Sequence, residues 1–99
     1  MEGMIQVFIG KLAVTRGIQH LIDSKEIEYE QLWECVSRYI NHDWGLTDKH
    51  DCAINEQSLD RNYGTVLAEY KINDIRVWIS TSIGDAETTW TTILRPEEW

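Results

Sequence analysis

Proline is almost missing from this 99-residue chain. The only one is Pro96, so nothing of that kind breaks the first 95 residues. Cysteine is scarce: Cys35 and Cys52 are the pair, and no C-x-x-C spacing occurs. Two thiols so placed predict a reduced chain, with no disulfide framework and no paired-cysteine zinc site. No apolar run approaches the roughly 20 residues of a membrane span. The opening "MEGMIQVFIG" has no basic start, no long apolar stretch and no small-residue cleavage site, so no secretory leader is expected and the cytoplasm is the expected location. Repeats, low-complexity tracts and linker compositions are also lacking, and the length suits a single domain, residues 1–99.

Positive charge is the other shortage. Nine bases face 17 acids, for a net charge of −8. Ten of the acids fall between Asp23 and Asp60, against three bases in the same segment, Lys25, Arg38 and Lys49. Such a field repels nucleic-acid phosphates and favours basic protein surfaces. Direct nucleic-acid binding is therefore not expected.

The pattern changes character near Tyr63-Gly64. Before it the apolar residues have helical period, and after it they alternate. Residues 4–9 or 10–14 suit a short strand. Thr15 is placed to cap a short helix carrying Ile18, Leu21 and Ile22, weakened by Gly17. The clearest helix is "EYEQLWECVSRYINH", with Leu32, Val36, Tyr39 and Ile40 on one stripe that Trp33 and Cys35 widen. Glu28 and Glu30 suit its first turn. Gly45 is expected to end or turn it, Thr47 to cap a following helix over "TDKHDCAINEQSLDRN", and Cys52, Ala53, Ile54 and Leu59 to face inward from that helix.

The last third predicts a three-stranded antiparallel meander. "TVLAEYKI" and "IRVWISTS" are separated only by Asn73-Asp74, a two-residue hairpin turn. That loop pairs Ile72 with Ile75, Tyr70 with Val77, Ala68 with Ile79 and Val66 with Thr81, an almost wholly apolar face. The other face pairs Lys71 with Arg76, Glu69 with Trp78 and Leu67 with Ser80. A one-residue slip would destroy the sorting. Lys71 beside Arg76 is unfavourable, and Glu69, diagonal to Arg76, offsets it. A turn at Ile83-Gly84-Asp85 leads to "ETTWTTILR", which Pro96 ends. The expected fold is α+β, with two or three helices on one face of a three- or four-stranded antiparallel sheet.

Four candidate sites follow. His42, Asp43, Asp48, His50, Asp51 and Cys52 are competent metal ligands, but they lack H-E-x-x-H or paired-cysteine spacing, and a solvated helix joint explains them better. No cofactor or metal is expected. Hydrolytic catalysis finds no support. Cys52 and His50, two apart, point to different sides of a helix, and serines 24, 37, 58, 80 and 82 have no G-x-S-x-G setting. Catalytic residues are therefore not assigned and the chain is not expected to be an enzyme. The polar sheet face around Trp78, which Trp90 could join, needs a cover from the chain or a partner. "RPEEW" suggests one helical turn after which Trp99 plugs the core or projects as an anchor. The acids Glu28, Glu30, Glu34, Asp48, Asp51 and Glu56, with Trp78 and Trp90, form the expected partner surface. His42, Asp43, Trp44 and Gly45 form a structural joint in which Trp44 packs on the core.

Several of these stretches resemble a family of short proteins of plasmids, phages and conjugative elements, often catalogued near antirestriction and DNA-mobilisation genes. The matching residues are Gly10, Gly17, His42-Asp43-Trp44-Gly45, Asn55, Tyr70, Val77 to Ser80, and Thr91 to Trp99. The joint is shorter than in the family, and the loop "TSIGDAETTW" lacks the family's arginine. The resemblance brings no established activity. Its genomic company implies counter-defence of the anti-CRISPR or antirestriction kind, through a CRISPR or restriction effector. The alternative is a structural or regulatory homodimer using the Trp78 face.

Overall fold

A computed structural model describes residues 6–99. The elements run β1 (Lys11–Val14), α1 (Arg16–Asp23), α2 (Tyr29–Ile40), α3 (Lys49–Arg61), β2 (Gly64–Ile72), β3 (Ile75–Ile83), β4 (Trp90–Leu94) and a 3₁₀ turn, Pro96–Glu98. The sheet has four strands in the order β1-β4-β3-β2. β2, β3 and β4 form the antiparallel meander, while β1 pairs with β4 in parallel, so the sheet is mixed. Parallel entry of β1 leaves no sequence mark, because the pairing joins segments almost eighty residues apart. Of the alternative strand positions at the start, 10–14 contains the strand; residues 4 and 5 of the other lie outside the described residues.

The hairpin forms in the register that its two-residue loop dictates, from Gly64↔Ile83 to Ile72↔Ile75. Asn73 and Asp74 both have positive φ, 51° and 67°, as the primed turn requires. Arg76 reaches Glu69 with two hydrogen bonds of 2.8 and 2.9 Å, which offsets the Lys71–Arg76 repulsion. Strand β4 begins at Trp90, later than the sequence pattern suggests, because Asp85 binds Thr88 and Thr89 into a turn.

The apolar sheet face carries Val66, Ala68, Tyr70, Ile72, Val77, Ile79 and Ile93, which cluster with Ile18 and Leu21 of α1 and Leu32, Cys35, Val36 and Tyr39 of α2. Two threonines also lie in this core. Tyr39 Oη, Thr81 Oγ1 and Thr91 Oγ1 form a buried chain of 2.6 and 2.7 Å bonds that ends with Thr91 donating to the Ile9 carbonyl at 2.7 Å. The chain ties α2, β3, β4 and the segment before β1 together, and each hydroxyl is satisfied.

Four local expectations are corrected. Trp33 is 54% exposed and does not widen the buried stripe; Cys35 does. Helix α2 ends at Ile40, capped by Asn41 and followed by His42 with φ 64°, so Gly45 does not end it. Gly45 does take the positive φ expected of a turn residue, 64°, and it runs beside Glu69 of β2, where a Cβ would sit 2.5 Å from the Glu69 carbonyl oxygen. The cap of α3 is Asp48, which accepts from Asp51 N–H at 2.8 Å, rather than Thr47. On α3, Ala53 and Ile54 are exposed, while Cys52 and Leu59 are half-buried.

The one fully buried side chain of α3 is polar. Asn55 is 2% exposed. Its Oδ1 accepts from Leu67 N–H at 3.1 Å and its Nδ2 donates to the Leu67 carbonyl at 2.9 Å. Two residues along, Glu69 N–H donates to Thr47 Oγ1 at 2.9 Å and the Glu69 carbonyl accepts from Leu46 N–H at 2.8 Å. The outer edge of β2 is thus closed at Leu67 and Glu69 by a side-chain amide, a hydroxyl and a main-chain amide. Open strand edges invite foreign pairing, and this one is covered.

Replacing Asn55 with leucine leaves the Leu67 N–H and C=O buried without partners. Each unmade bond costs about 1–3 kcal/mol, so urea unfolding should show a loss of about 2–4 kcal/mol. In the hydroxyl chain, Thr91→Val should cost more than Tyr39→Phe. The first strands the Ile9 carbonyl and the Thr81 donor, whereas the second removes only a terminal donor, worth about 1 kcal/mol.

Candidate functional site

Three places collect the chemistry-bearing side chains. The first is the joint between α2 and α3. His42 Nδ1 lies 2.9 and 3.0 Å from the two carboxylate oxygens of Glu56, and Trp44 Nε1 donates to the same carboxylate at 2.9 Å. Trp44 is buried and meets Tyr39 edge-on at 5.5 Å. Arg38 grips Asp43 through two bonds, 2.8 and 3.3 Å, and Asp43 also accepts from Gly45 N–H. These bonds hold the Asp43 carboxyl below the usual carboxylate range, with the Arg38 bond the main cause. Glu56, a member of the expected partner surface, is engaged here by two side chains of the joint while remaining half-exposed. Among the described residues no three His, Cys, Asp or Glu side chains converge as a metal cluster. Both cysteines are free thiols, and Cys52, its thiol pushed up by burial and then by Asp48 and Asp51, donates to the Thr47 carbonyl.

The second place is the outward face of α2. Tyr29 and Trp33, one turn apart, are 51% and 54% exposed. Glu30 and Glu34 form a parallel ridge beside them, both exposed, and Glu28 precedes the first turn, where its N–H donates to Gln31 Oε1. Like charges four apart destabilise a helix. The sequence accepts that local cost on a face where two large aromatic rings are left in water.

The third is a groove of about 460 Å³ between the first half of α3 and the polar sheet face, lined by Asp48, Asp51, Ile54, Leu67, Trp78 and Trp99 among others. Trp78 is half-buried. Its cover comes from the chain itself: Trp99 meets it edge-on at 5.8 Å, and Glu69 accepts from its Nε1 at 3.1 Å. Trp99 stays 67% exposed, so it neither plugs the core nor projects free. Glu69 is held below the usual carboxylate range, chiefly by Arg76. Trp90 lies apart from the groove, with the Lys11 ammonium 5.4 Å from its ring centre.

Glu98 sets the tail that carries Trp99. Its carboxylate accepts from Thr15 Oγ1 at 2.6 Å, Gly17 N–H at 2.9 Å and Arg95 N–H at 2.8 Å. Helix α1 has no acid in its own first turn, and the tail supplies one from 81 residues away. Burial alone would raise the Glu98 carboxyl, but the bonds from Thr15, Arg95 and Gly17 outweigh it and leave it lowered. Gly17 makes room, since a Cβ there would stand 2.7 Å from Glu98 Oε1.

The structure therefore brings Asp48, Asp51 and Trp78 of the expected partner surface into one groove. It places Glu28, Glu30 and Glu34 on α2, and separates Glu56 and Trp90 from both. Sequence reasoning missed Asn55 as the edge lock, Tyr29 and Trp33 as exposed rings, and Glu98 as the clamp. The i, i+4 spacing of Tyr29 and Trp33 beside a glutamate ridge was the available signal for the rings. Comparison with protein-family models, curated proteins and solved structures returns no match.

Gly17→Ala separates the clamp from ordinary helix propensity. In an exposed helix that change stabilises by about 1 kcal/mol; here it should lower the melting temperature, because Glu98 must move. Acid should act on the same contact. A lowered carboxyl contributes stability above its unfolded pKa and loses it as pH falls through the folded value. Tryptophan fluorescence should thus report loosening of Trp99 on acidification below about pH 4, and Glu98→Gln should show the loosened signal already at neutral pH.

Proposed function

We propose that this protein is a non-enzymatic, acidic interaction protein that binds a basic surface of a partner protein. The observation that carries this reading is the outward face of α2, where Tyr29 and Trp33 stand exposed beside Glu30 and Glu34. Exposed aromatic rings supply desolvated anchors, and the acid ridge gives the approach its sign. The net charge of −8 adds a long-range field of the same sign. Together with the mobile-element resemblance, the proposed partner is a nucleic-acid-handling complex of host defence, of the CRISPR or restriction type. Its basic channel would be occupied in place of nucleic acid.

The motive for a homodimer through Trp78 is met within the chain, because Trp99 covers the ring and Glu69 takes its N–H. No helix among the described residues is long and apolar enough to cross a membrane.

Affinity capture from host extract at low salt should recover a basic nucleic-acid-binding partner. Its retention should fall steeply between about 50 and 300 mM salt, where screening shortens to below 10 Å. Trp33→Ala with Tyr29→Ala should abolish retention while leaving the unfolding transition in place. Recovery of no basic partner, or retention indifferent to that pair, would overturn the reading.

A further inference from the structure

The groove beside α3 admits a narrower range of ligands than its size suggests. An added strand is disfavoured, because the β2 edge is already used at Leu67 by Asn55 and at Glu69 by Thr47 and Leu46. An occupant therefore enters by its side chain. The lining is mainly apolar, with Leu46, Ile54, Leu67 and the two indoles of Trp78 and Trp99. No lysine, arginine or histidine lines it, whereas Asp48 and Asp51 do. Glu69 also lines it, but Arg76 offsets that charge. The positive end of the α3 dipole, about half a charge, cancels part of the field of Asp48 and Asp51 and leaves the groove negative. A second copy of this chain would bring another net charge of −8 to the same rim.

We propose that the groove binds an extended protein segment presenting one apolar side chain flanked by lysine or arginine. The apolar side chain packs against Leu67, Ile54 and the indoles, and its basic neighbours meet Asp48 and Asp51. The basic character of the partner rests on the function proposed above; the groove is a second contact, distinct from the α2 face. Glu98 is a positioning residue in this scheme. It touches no ligand but holds the Pro96–Glu98 turn against Thr15 and Gly17, which fixes Trp99 as one wall.

The probe is a synthetic peptide, Gly-Arg-Lys-Leu-Lys-Arg-Gly, followed by amide and indole chemical shifts at low salt. Two control peptides replace the leucine by alanine and the four bases by glutamate. Shifts should gather at Leu46, Ile54, Leu67 and the Trp78 and Trp99 indoles. The alanine peptide should bind several-fold more weakly, since burying an apolar side chain sets that scale, and the acidic peptide should not bind. Asp48→Asn with Asp51→Asn keeps a competent cap at position 48 and should weaken binding about tenfold. Glu98→Gln should weaken it several-fold while amide dispersion shows the fold intact, and Trp99→Ala should do the same without disturbing the clamp. The proposal is overturned if the leucine and alanine peptides bind equally, or if shifts gather on the α2 face instead. Shifts that depend on protein concentration with no peptide present would also overturn it, by assigning the groove to a second copy. Captured partner with no binding of the leucine peptide would keep the proposed function and reject the groove, while peptide binding without captured partner would do the reverse.

Discussion

The amide of Asn55 holds this architecture in place. Helix α3 has no continuous apolar stripe, and its fully buried side chain is this one polar group. What fastens the helix to the sheet is therefore a pair of hydrogen bonds to the Leu67 backbone, supported by the half-buried Cys52 and Leu59. A buried amide whose donor and acceptor are both matched is stable; the same amide with one partner missing is costly. The lock also closes the edge of β2 and puts the first half of α3 beside Trp78. Edge protection and groove construction are thus one event.

The opposite end of the sheet is built by a similar device. Glu98 crosses 81 residues of sequence to cap α1, and in doing so lays Trp99 over Trp78. Gly17 is the concession that makes this possible. Both devices are side chain to backbone bonds between distant segments, and both shape the polar face of the sheet rather than its apolar core. The core itself is carried by the meander and the α1–α2 layer, with the Tyr39–Thr81–Thr91 hydroxyl chain setting their mutual register.

Periodicity explains which parts were legible in the sequence. The hairpin register follows from a two-residue loop and a two-residue period, and every predicted pair from Val66–Thr81 to Ile72–Ile75 is present. Leu32, Val36 and Tyr39 are legible for the same reason. Trp33 was misassigned because hydrophobicity does not say which edge of a stripe remains in water. The parallel pairing of β1 with β4, the Asn55 lock and the Glu98 clamp leave no periodic trace. Asn55 was visible only as one residue of a resemblance, with no physical role attached. In the joint, the expected packing of Trp44 on the core is present, while the carboxylate that His42 and Trp44 share, Glu56, has no spacing in the sequence that marks it as their partner.

Amide hydrogen exchange at Leu67 and Glu69 tests the central claim most directly. If Asn55, Thr47 and Leu46 close the β2 edge in solution, the Leu67 and Glu69 amides exchange only through the global opening that governs the interior of β3, at similar protection. Exchange at these two positions as fast as that of frayed or unpaired edge amides, with β3 still protected, would show that α3 is not locked to the sheet and that the groove is not a fixed feature of the protein.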